Sequence, residues 1–276
     1  MSPRDGTVAR LRDYFDDELL VQVGRKMELT ARAEGLRDVL VRLDSAIAIQ
    51  PGFAAGSTDR VFRILTSDYT QAVLGPHLLA LANTQRSSAR FEFLPQVSNP
   101  QRALERGEAD LLTIPRGLNS PDHPDEVLYL EDFVCVLRQG SLLAQGDFTA
   151  GRYQAASHLK MRPPSVDTQS FESWFISRHG VKRKVAATTQ SFMAMPALVV
   201  GTDLVATVHA RLARQAALAL PLPLPLRACP VPISAIEQAV QWHKYCTHDP
   251  GLIWLRGLLR QAAQRMDGLV NLQTFA

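Results

Sequence analysis

The residues best suited to binding chemistry are short polar side chains that follow apolar runs along the chain. Open parallel sheets bind ligands at the carboxyl ends of their strands, where helix N-termini present free N–H groups. Two facing sets of such strand ends would hold a small polar or anionic molecule. The candidate ligand-contacting residues are Thr66, Ser67, Asp68, Tyr69, Val97, Ser98, Asn99, Arg116, Phe133, Ser165, Thr168, Thr188, Gln190, Phe192 and Gly201.

The same residue types also cap ordinary helices. Ser, Thr, Asp and Asn accept hydrogen bonds from the first N–H groups of a helix, and this explains any one of them taken alone. Their recurrence at five strand ends in two halves of the chain favours a pocket. Most are neutral, and Phe133, Phe171, Trp174 and Phe192 lie among them as apolar walls, so we expect an aromatic ligand.

Alternating strands and helices must position these strand ends. In the first half, the hydrophobic pattern predicts strands at 61–65, 90–94 and 111–114 and helices at 69–83 and 100–107. Such alternation is typical of a parallel sheet covered by helices. We interpret residues 126–137 as a strand that crosses into a second lobe. That lobe has predicted strands at 158–161, 185–187 and 204–208 and helices at 169–179 and 192–200.

The last quarter of the chain returns to the first lobe. Residues 220–232 carry Pro at alternate positions, so they form an extended edge or loop rather than a central strand. A proline-recognition ligand is the alternative interpretation. An antiparallel strand is predicted at 235–245. Asp249 and Pro250 then begin a helix over 251–266.

The N-terminal 43 residues predict a helix, a two-stranded wing and a long helix. Apolar residues recur at helical spacing over 8–15, and short strands at 19–23 and 26–29 flank the turn Gly24-Arg25. Thr30 is a suitable N-cap for the long helix. This helix presents an apolar stripe formed by Leu36, Val39, Leu40, Leu43 and Ile47.

This stretch resembles the end of the winged helix-turn-helix domain of LysR-type transcriptional regulators, and their nodulation-regulator branch in particular. The matching elements, in family order and spacing, are Arg10-Leu11-Arg12, Asp16-Asp17-Glu18, Gly24-Arg25, Met27 and Leu29-Thr30. The alternative is an ordinary amphipathic helix with a hairpin. The resemblance implies an α/β fold: a partial winged helix-turn-helix (1–30), a linker helix and hinge (31–59), and a two-lobed periplasmic-binding-protein-like effector domain (60–276). The expected lobes are about 60–131 with 247–276, and about 132–246.

The resemblance also implies function and partners. The recognition helix would lie in the major groove of double-stranded DNA, with wing residues on phosphates. The implied DNA-contacting residues are Thr7, Arg10, Arg12, Arg25 and Lys26. A small aromatic effector and RNA polymerase are the other expected partners. Linker helices would pair two chains, which gives a homodimer or homotetramer.

The head departs from the family pattern at its start. The family has two more helices before the recognition helix, whereas residues 1–6 occupy the place of the turn. Val8, Leu11 and Phe15 are therefore expected to find few apolar partners within the chain. A stand-alone small-molecule-binding protein with a vestigial head is the rival interpretation, and the wing and linker helix argue against it.

Composition and motif content bear on the other functional classes to which the chain could belong. The 276 residues are 46% hydrophobic and 21% charged with a net charge of +3, which is ordinary for a globular protein. Residues 1–32 hold six basic and six acidic residues, so charge alone does not indicate DNA binding.

Three scattered cysteines, with no signal peptide and no membrane-length apolar run, favour the cytoplasm and no membrane contact. We interpret Cys135, Trp242 and Trp254 as core residues. Catalytic and metal motifs are missing, so no enzyme activity, cofactor or metal is predicted.

Overall fold

The head folds as the sequence predicts, with a longer first helix. The computed structural model describes residues 3–24, 26–48, 53–163, 170–178, 180–219, 224–231 and 233–273. The head elements are α1 (Pro3–Phe15), β1 (Leu20–Val23), β2 (Lys26–Leu29) and α2 (Ala31–Ala48). Gly24 has φ +63° in the wing turn, and Thr30 Oγ1 caps α2 by accepting from Ala33 N at 3.1 Å. Residues 3–6, which stand where the family would carry its turn, are helical here, and proline suits the first position of a helix.

The first lobe is a five-stranded sheet with helices packed against it. Its elements are β3 (Val61–Thr66), α3 (Asp68–Thr84), β4 (Arg90–Pro95), α4 (Pro100–Glu105), β5 (Leu111–Pro115), β6 (Asp125–Glu131), β12 (Ile236–Trp242) and α9 (Pro250–Gln273). The strand order is β4-β3-β5-β12-β6, with β3 parallel to β4 and β5 and β12 antiparallel to its neighbours. Asp249 caps α9 by accepting from Leu252 N at 3.0 Å, as predicted.

The second lobe repeats this architecture. Its elements are β7 (Phe133–Val136), α5 (Ala150–Ala155), β8 (Ser157–Met161), α6 (Phe171–Arg178), β9 (Lys184–Thr189), α7 (Met195–Val199), β10 (Leu204–His209), α8 (Ala210–Ala219) and β11 (Leu226–Ala228). The strand order is β11-β7-β10-β8-β9, with β8, β9 and β10 parallel. The proline-alternating stretch contributes β11 at the sheet edge, where missing N–H donors are tolerated.

Two chain crossings join the lobes. Asp132 alone separates β6 from β7, so the predicted crossing strand is two strands in different sheets. The expected lobe boundary near residue 246 is wrong, because β12 pairs with β5 and β6 of the first sheet and the second crossing therefore precedes Ile236. Helices α5 and α8 were not predicted.

A continuous apolar core reaches into both lobes. It includes Phe62, Leu78 and Leu255 from the first lobe and Leu159 and Val208 from the second, all at most 1% exposed. Cys135 and Trp242 are buried and Trp254 packs against the core, which confirms their interpretation. Among the described residues, no helix combines the length and apolarity needed to cross a membrane.

Candidate functional site

A cleft lies between the two sheets, where parallel strands from both lobes end. It encloses about 820 Å³ of space that is continuous with solvent. The first lobe contributes residues that follow β3, β4 and β5. The second contributes residues at or after β8 and β10. Among the lining residues are Ser67, Tyr69, Gln96, Val97, Ser98, Phe133, Met161, Ser170, Glu172, Phe192, His209 and Gln238.

Ser67 fits both interpretations of the polar strand ends, as a helix cap and as a residue of the cleft lining. Its Oγ accepts from Thr70 N at 3.1 Å as the N-cap of α3, and the residue also lines the cleft beside Val97 and Ser98. Thr66 and Gln190 lie at an adjoining opening of the cleft. Helix capping and cleft lining are therefore compatible at one position.

Asp68 connects the two lobes directly. Its carboxylate accepts from Ser191 Oγ at 2.7 Å, Met193 N at 3.1 Å and Phe192 N at 3.3 Å, all in the second lobe. These three donors occupy a carboxylate that the sequence analysis assigned to ligand contact. In this conformation Asp68 acts as a latch across the opening of the cleft.

Aromatic rings from both lobes form one wall of the cleft. Tyr69 and His209 stack with their ring centroids 3.9 Å apart and their planes 3° from parallel. Phe192 and Phe133 approach His209 at 4.9 and 5.1 Å. His209 is 6% exposed, and its Nδ1 has no hydrogen-bond partner among the described residues. Burial lowers the pKa of His209 to about 3, so its imidazole is neutral at physiological pH.

A buried ionic network lies behind this wall, at the crossing between lobes. Glu131 is 1% exposed and accepts from the Tyr69 hydroxyl and from Arg211 Nη1, the latter at 2.6 Å. Its other oxygen accepts from Arg211 N at 3.1 Å. Arg211 also pairs with Asp267 of α9. Burial raises the pKa of Tyr69 above its usual range, so the hydroxyl stays protonated and donates.

A second charged cluster borders the cleft in the second lobe. Glu172 pairs with Arg183, and each side chain is only 6% exposed. Ser173 Oγ donates to Glu172 Oε2 at 2.9 Å and accepts from Ser170 Oγ at 2.9 Å. The cluster thus presents Ser170 and a neutralised carboxylate to the cleft, with no uncompensated charge.

Several candidates from the sequence lie elsewhere. Asn99 caps α4 by accepting from Arg102 N at 3.1 Å, and Arg116 pairs with Asp125 and Glu237. Thr188 is exposed on β9, and Gly201 has φ +75° in the turn after α7, a conformation that favours glycine. None of these four is among the lining residues. Ser165 and Thr168 lie outside the described residues.

Sequence reasoning missed five residues that line the cleft: His209, Gln238, Met161, Ser170 and Glu172. His209 ends β10, so the strand-end rule that selected Ser67 would have found it. Gln238 lies within the antiparallel strand β12, and the position of that strand beside the cleft depends on long-range pairing. No local signal identifies Gln238.

The acidic turn of the head joins α1, the wing and α2. Asp17 Oδ1 accepts from Thr30 Oγ1 at 2.6 Å and Leu19 N at 2.7 Å, and the Thr30 hydrogen bond lowers the pKa of Asp17. Arg12 Nε donates to Glu18 O at 2.7 Å. Arg10 and Lys26 are exposed, the Thr7 side chain is not described, and Arg25 lies outside the described residues. Leu11 is 42% exposed, as expected for an apolar residue with few partners, whereas Phe15 is half-buried against the Tyr14 ring and the Val8 side chain is not described.

Comparisons with known proteins agree with this architecture. Residues 55–264 match the family described as LysR substrate binding domain. Nodulation protein D 1 of Rhizobium leguminosarum bv. phaseoli is 35% identical over 263 residues, which cover 94% of this chain and 83% of that protein. Nodulation protein D 2 of Rhizobium tropici is 34% identical over the same shares.

Solved structures show the same fold. A probable transcriptional regulator from Pseudomonas aeruginosa superposes with a TM-score of 0.70 at 24% identity, covering 93% of this chain and 86% of that one. A full-length OxyR variant from the same organism gives 0.70 at 15% identity, covering 94% and 84%. The family match and the curated relatives together establish that this chain belongs to the LysR family, as a DNA-binding transcriptional regulator with an effector-binding domain.

Proposed function

We propose that the cleft binds a small aromatic effector that carries hydrogen-bonding groups. The observation that supports this proposal is the buried imidazole of His209, which belongs to the aromatic wall. Its Nδ1 has no hydrogen-bond partner among the described residues. An unpaired buried polar group costs about 1–3 kcal/mol. An effector hydroxyl or carbonyl at this nitrogen would recover that cost, while its ring packs between Phe133 and Phe192.

A thermal-shift screen of aromatic acids and phenolics tests the site, followed by calorimetry on variants. Replacement of His209 by Phe keeps a ring but removes both nitrogens. Since a hydrogen bond contributes on the order of 1 kcal/mol, H209F and Ser98→Ala should each bind a confirmed ligand several-fold more weakly. Thr188→Ala is the matched control, because Thr188 is an exposed strand-end hydroxyl outside the lining. Parental affinity in both cleft variants would place the site elsewhere.

We further propose that α1 enters the major groove and that the wing contacts phosphates. Thr7, Arg10, Arg12, Arg25 and Lys26 remain the candidate contacts. The exposure of Lys26 in the wing supports a phosphate contact, whereas Arg12 is partly engaged by Glu18. A protein that acts on DNA would work in the cytoplasm, which is the location we propose.

The wing contact is tested by the salt dependence of DNA binding. Lys26→Ala should weaken binding about equally on all sequences and reduce the slope of log K against log salt by about one. Lys184→Ala is the control, because it removes an exposed lysine of the second lobe. An unchanged slope for the wing variant, measured by fluorescence anisotropy on operator and random duplexes, would contradict the contact.

A further inference from the structure

The carboxylate of Asp68 accepts four hydrogen bonds, and three of them come from the other lobe. Besides Tyr69 N of its own lobe at 2.8 Å, the donors are Ser191 Oγ at 2.7 Å, Met193 N at 3.1 Å and Phe192 N at 3.3 Å. Each carboxylate oxygen takes two of the four donors, and all four donors are neutral. The acceptor capacity of an ionised carboxylate is thus almost fully used across the gap between the lobes.

The three donors of the second lobe lie on one short turn whose shape is fixed within that lobe. Ser191 N donates to Thr189 Oγ1 at 3.2 Å, and Ser191 Oγ accepts from Ala194 N at 3.1 Å while its hydroxyl donates to Asp68. The two bonds to Thr189 and Ala194 would survive a separation of the lobes. The turn can therefore release the carboxylate and receive it again without refolding.

The contact is also placed where water can replace it. Asp68 and Ser191 are only half-buried and line an opening of the cleft to solvent. Hydrogen bonds exchanged with water have a small net free energy, so this contact can break and reform. The ion pair of Glu131 and Arg211 at the crossing is buried, and its charges have no such replacement. The lobes are therefore held firmly at the crossing and reversibly at Asp68.

The reversible contact holds the aromatic wall together. Phe192 is fixed through its own backbone N–H, and His209 of the second lobe is covered by the ring of Tyr69, the residue next to Asp68. We propose that the Asp68 latch controls access to the cleft: it keeps the lobes closed without a ligand, and its release separates Tyr69 from His209. This inference rests on the proposed effector site, but its test needs no ligand.

Opening is measured on the ligand-free full chain by diethyl pyrocarbonate modification of histidines, followed by peptide mass spectrometry. His209 is 6% exposed between the lobes, His158 is 0% exposed within the second lobe, and His248 is exposed. In the parent we expect His209 to react far more slowly than His248. Asp68→Asn should raise the rate at His209 roughly tenfold, because its amide nitrogen cannot accept the donors that it faces. His158 should stay unreactive.

Two changes at Ser191 test the latch from its other side. Ser191→Ala removes one donor and should raise the rate at His209 by a smaller factor, whereas Ser191→Thr keeps the hydroxyl and should react as the parent does. Asp203→Asn is the matched control, because Asp203 pairs with Arg138 inside the second lobe. It should leave the rate at His209 unchanged.

A parental rate at His209 in Asp68→Asn would overturn the proposal. An equal rise at His158 would also overturn it, since the second lobe would then be loosened as a whole. Because no ligand is present, neither result depends on whether the cleft binds an aromatic effector.

Discussion

Individual buried histidines make this protein sensitive to acid. His209 and His158 are both buried, and burial lowers their pKa values to about 3 and about 4. In the unfolded chain they return to the ordinary value near 6.5. Between these pH values the unfolded state binds more protons than the folded state. The free energy of unfolding must therefore fall as the pH drops below 6.5.

Replacement of His209 by Phe should reduce this acid sensitivity. Between pH 7.5 and 5.0 a histidine that stays neutral in the folded state costs on the order of 2 kcal/mol of unfolding free energy, since each pH unit below 6.5 contributes about 1.4 kcal/mol. Urea unfolding of parent and H209F at both pH values measures the difference. An equal fall in both proteins would contradict the burial of a neutral His209.

At the scale of elements, a buried ionic network stabilises the contact between the lobes at the point where the chain passes from one to the other. Glu131 ends β6 and receives donors from α3, through Tyr69, and from α8, through Arg211. Arg211 continues to Asp267 on α9. Tyr69 also lines the cleft and stacks on His209. A ligand that shifts Tyr69 would thus act directly on the contact between lobes.

Removal of the Glu131 charge should destabilise the fold strongly. Loss of one partner from a buried ion pair costs about 3–5 kcal/mol, because the other charge remains buried. We expect Glu131→Gln to lower the free energy of unfolding by about 3 kcal/mol. Asp203→Asn is the matched control: Asp203 pairs with Arg138 but is 75% exposed, so its loss should cost less than about 1 kcal/mol. Similar losses in the two variants would show that the Glu131 network contributes little.

The local sequence pattern predicted the positions of strands and helices better than it predicted which of them pair with each other. Strands such as β3 and β10 were predicted because each is a continuous apolar run in the interior of its sheet. Thr30 and Asp249 were predicted as caps because capping is local. The sheet to which β12 belongs was predicted wrongly, because local periodicity does not show which strand pairs with another more than one hundred residues away. The Asp68 latch was missed for the same reason: its donors at Ser191 to Met193 are remote in sequence.

At the scale of the whole molecule, the linker helix exposes an apolar surface that no described part of the chain covers. Val39 is 49% exposed and Leu40 64% exposed, and Leu36 is half-buried beside them. The side chains of Leu43 and Ile47 are not described, but they continue the same stripe in sequence. A stripe at this spacing is the pattern by which two helices pair. We therefore propose that α2 pairs with α2 of a second chain, in a homodimer or in a homotetramer built from such dimers.

Charge placed on this stripe should separate the chains. In Leu36→Glu combined with Leu40→Glu, pairing would bury carboxylates without partners, a cost far above the gain from the remaining apolar contacts. We expect light scattering coupled to size exclusion to show monomers for this variant and dimers or tetramers for the parent. Leu142→Glu is the matched control, because Leu142 is 75% exposed in the second lobe and lies off the stripe. If the double variant keeps the parental mass, the chains do not assemble through α2; if the control also dissociates, a lobe surface holds the oligomer together.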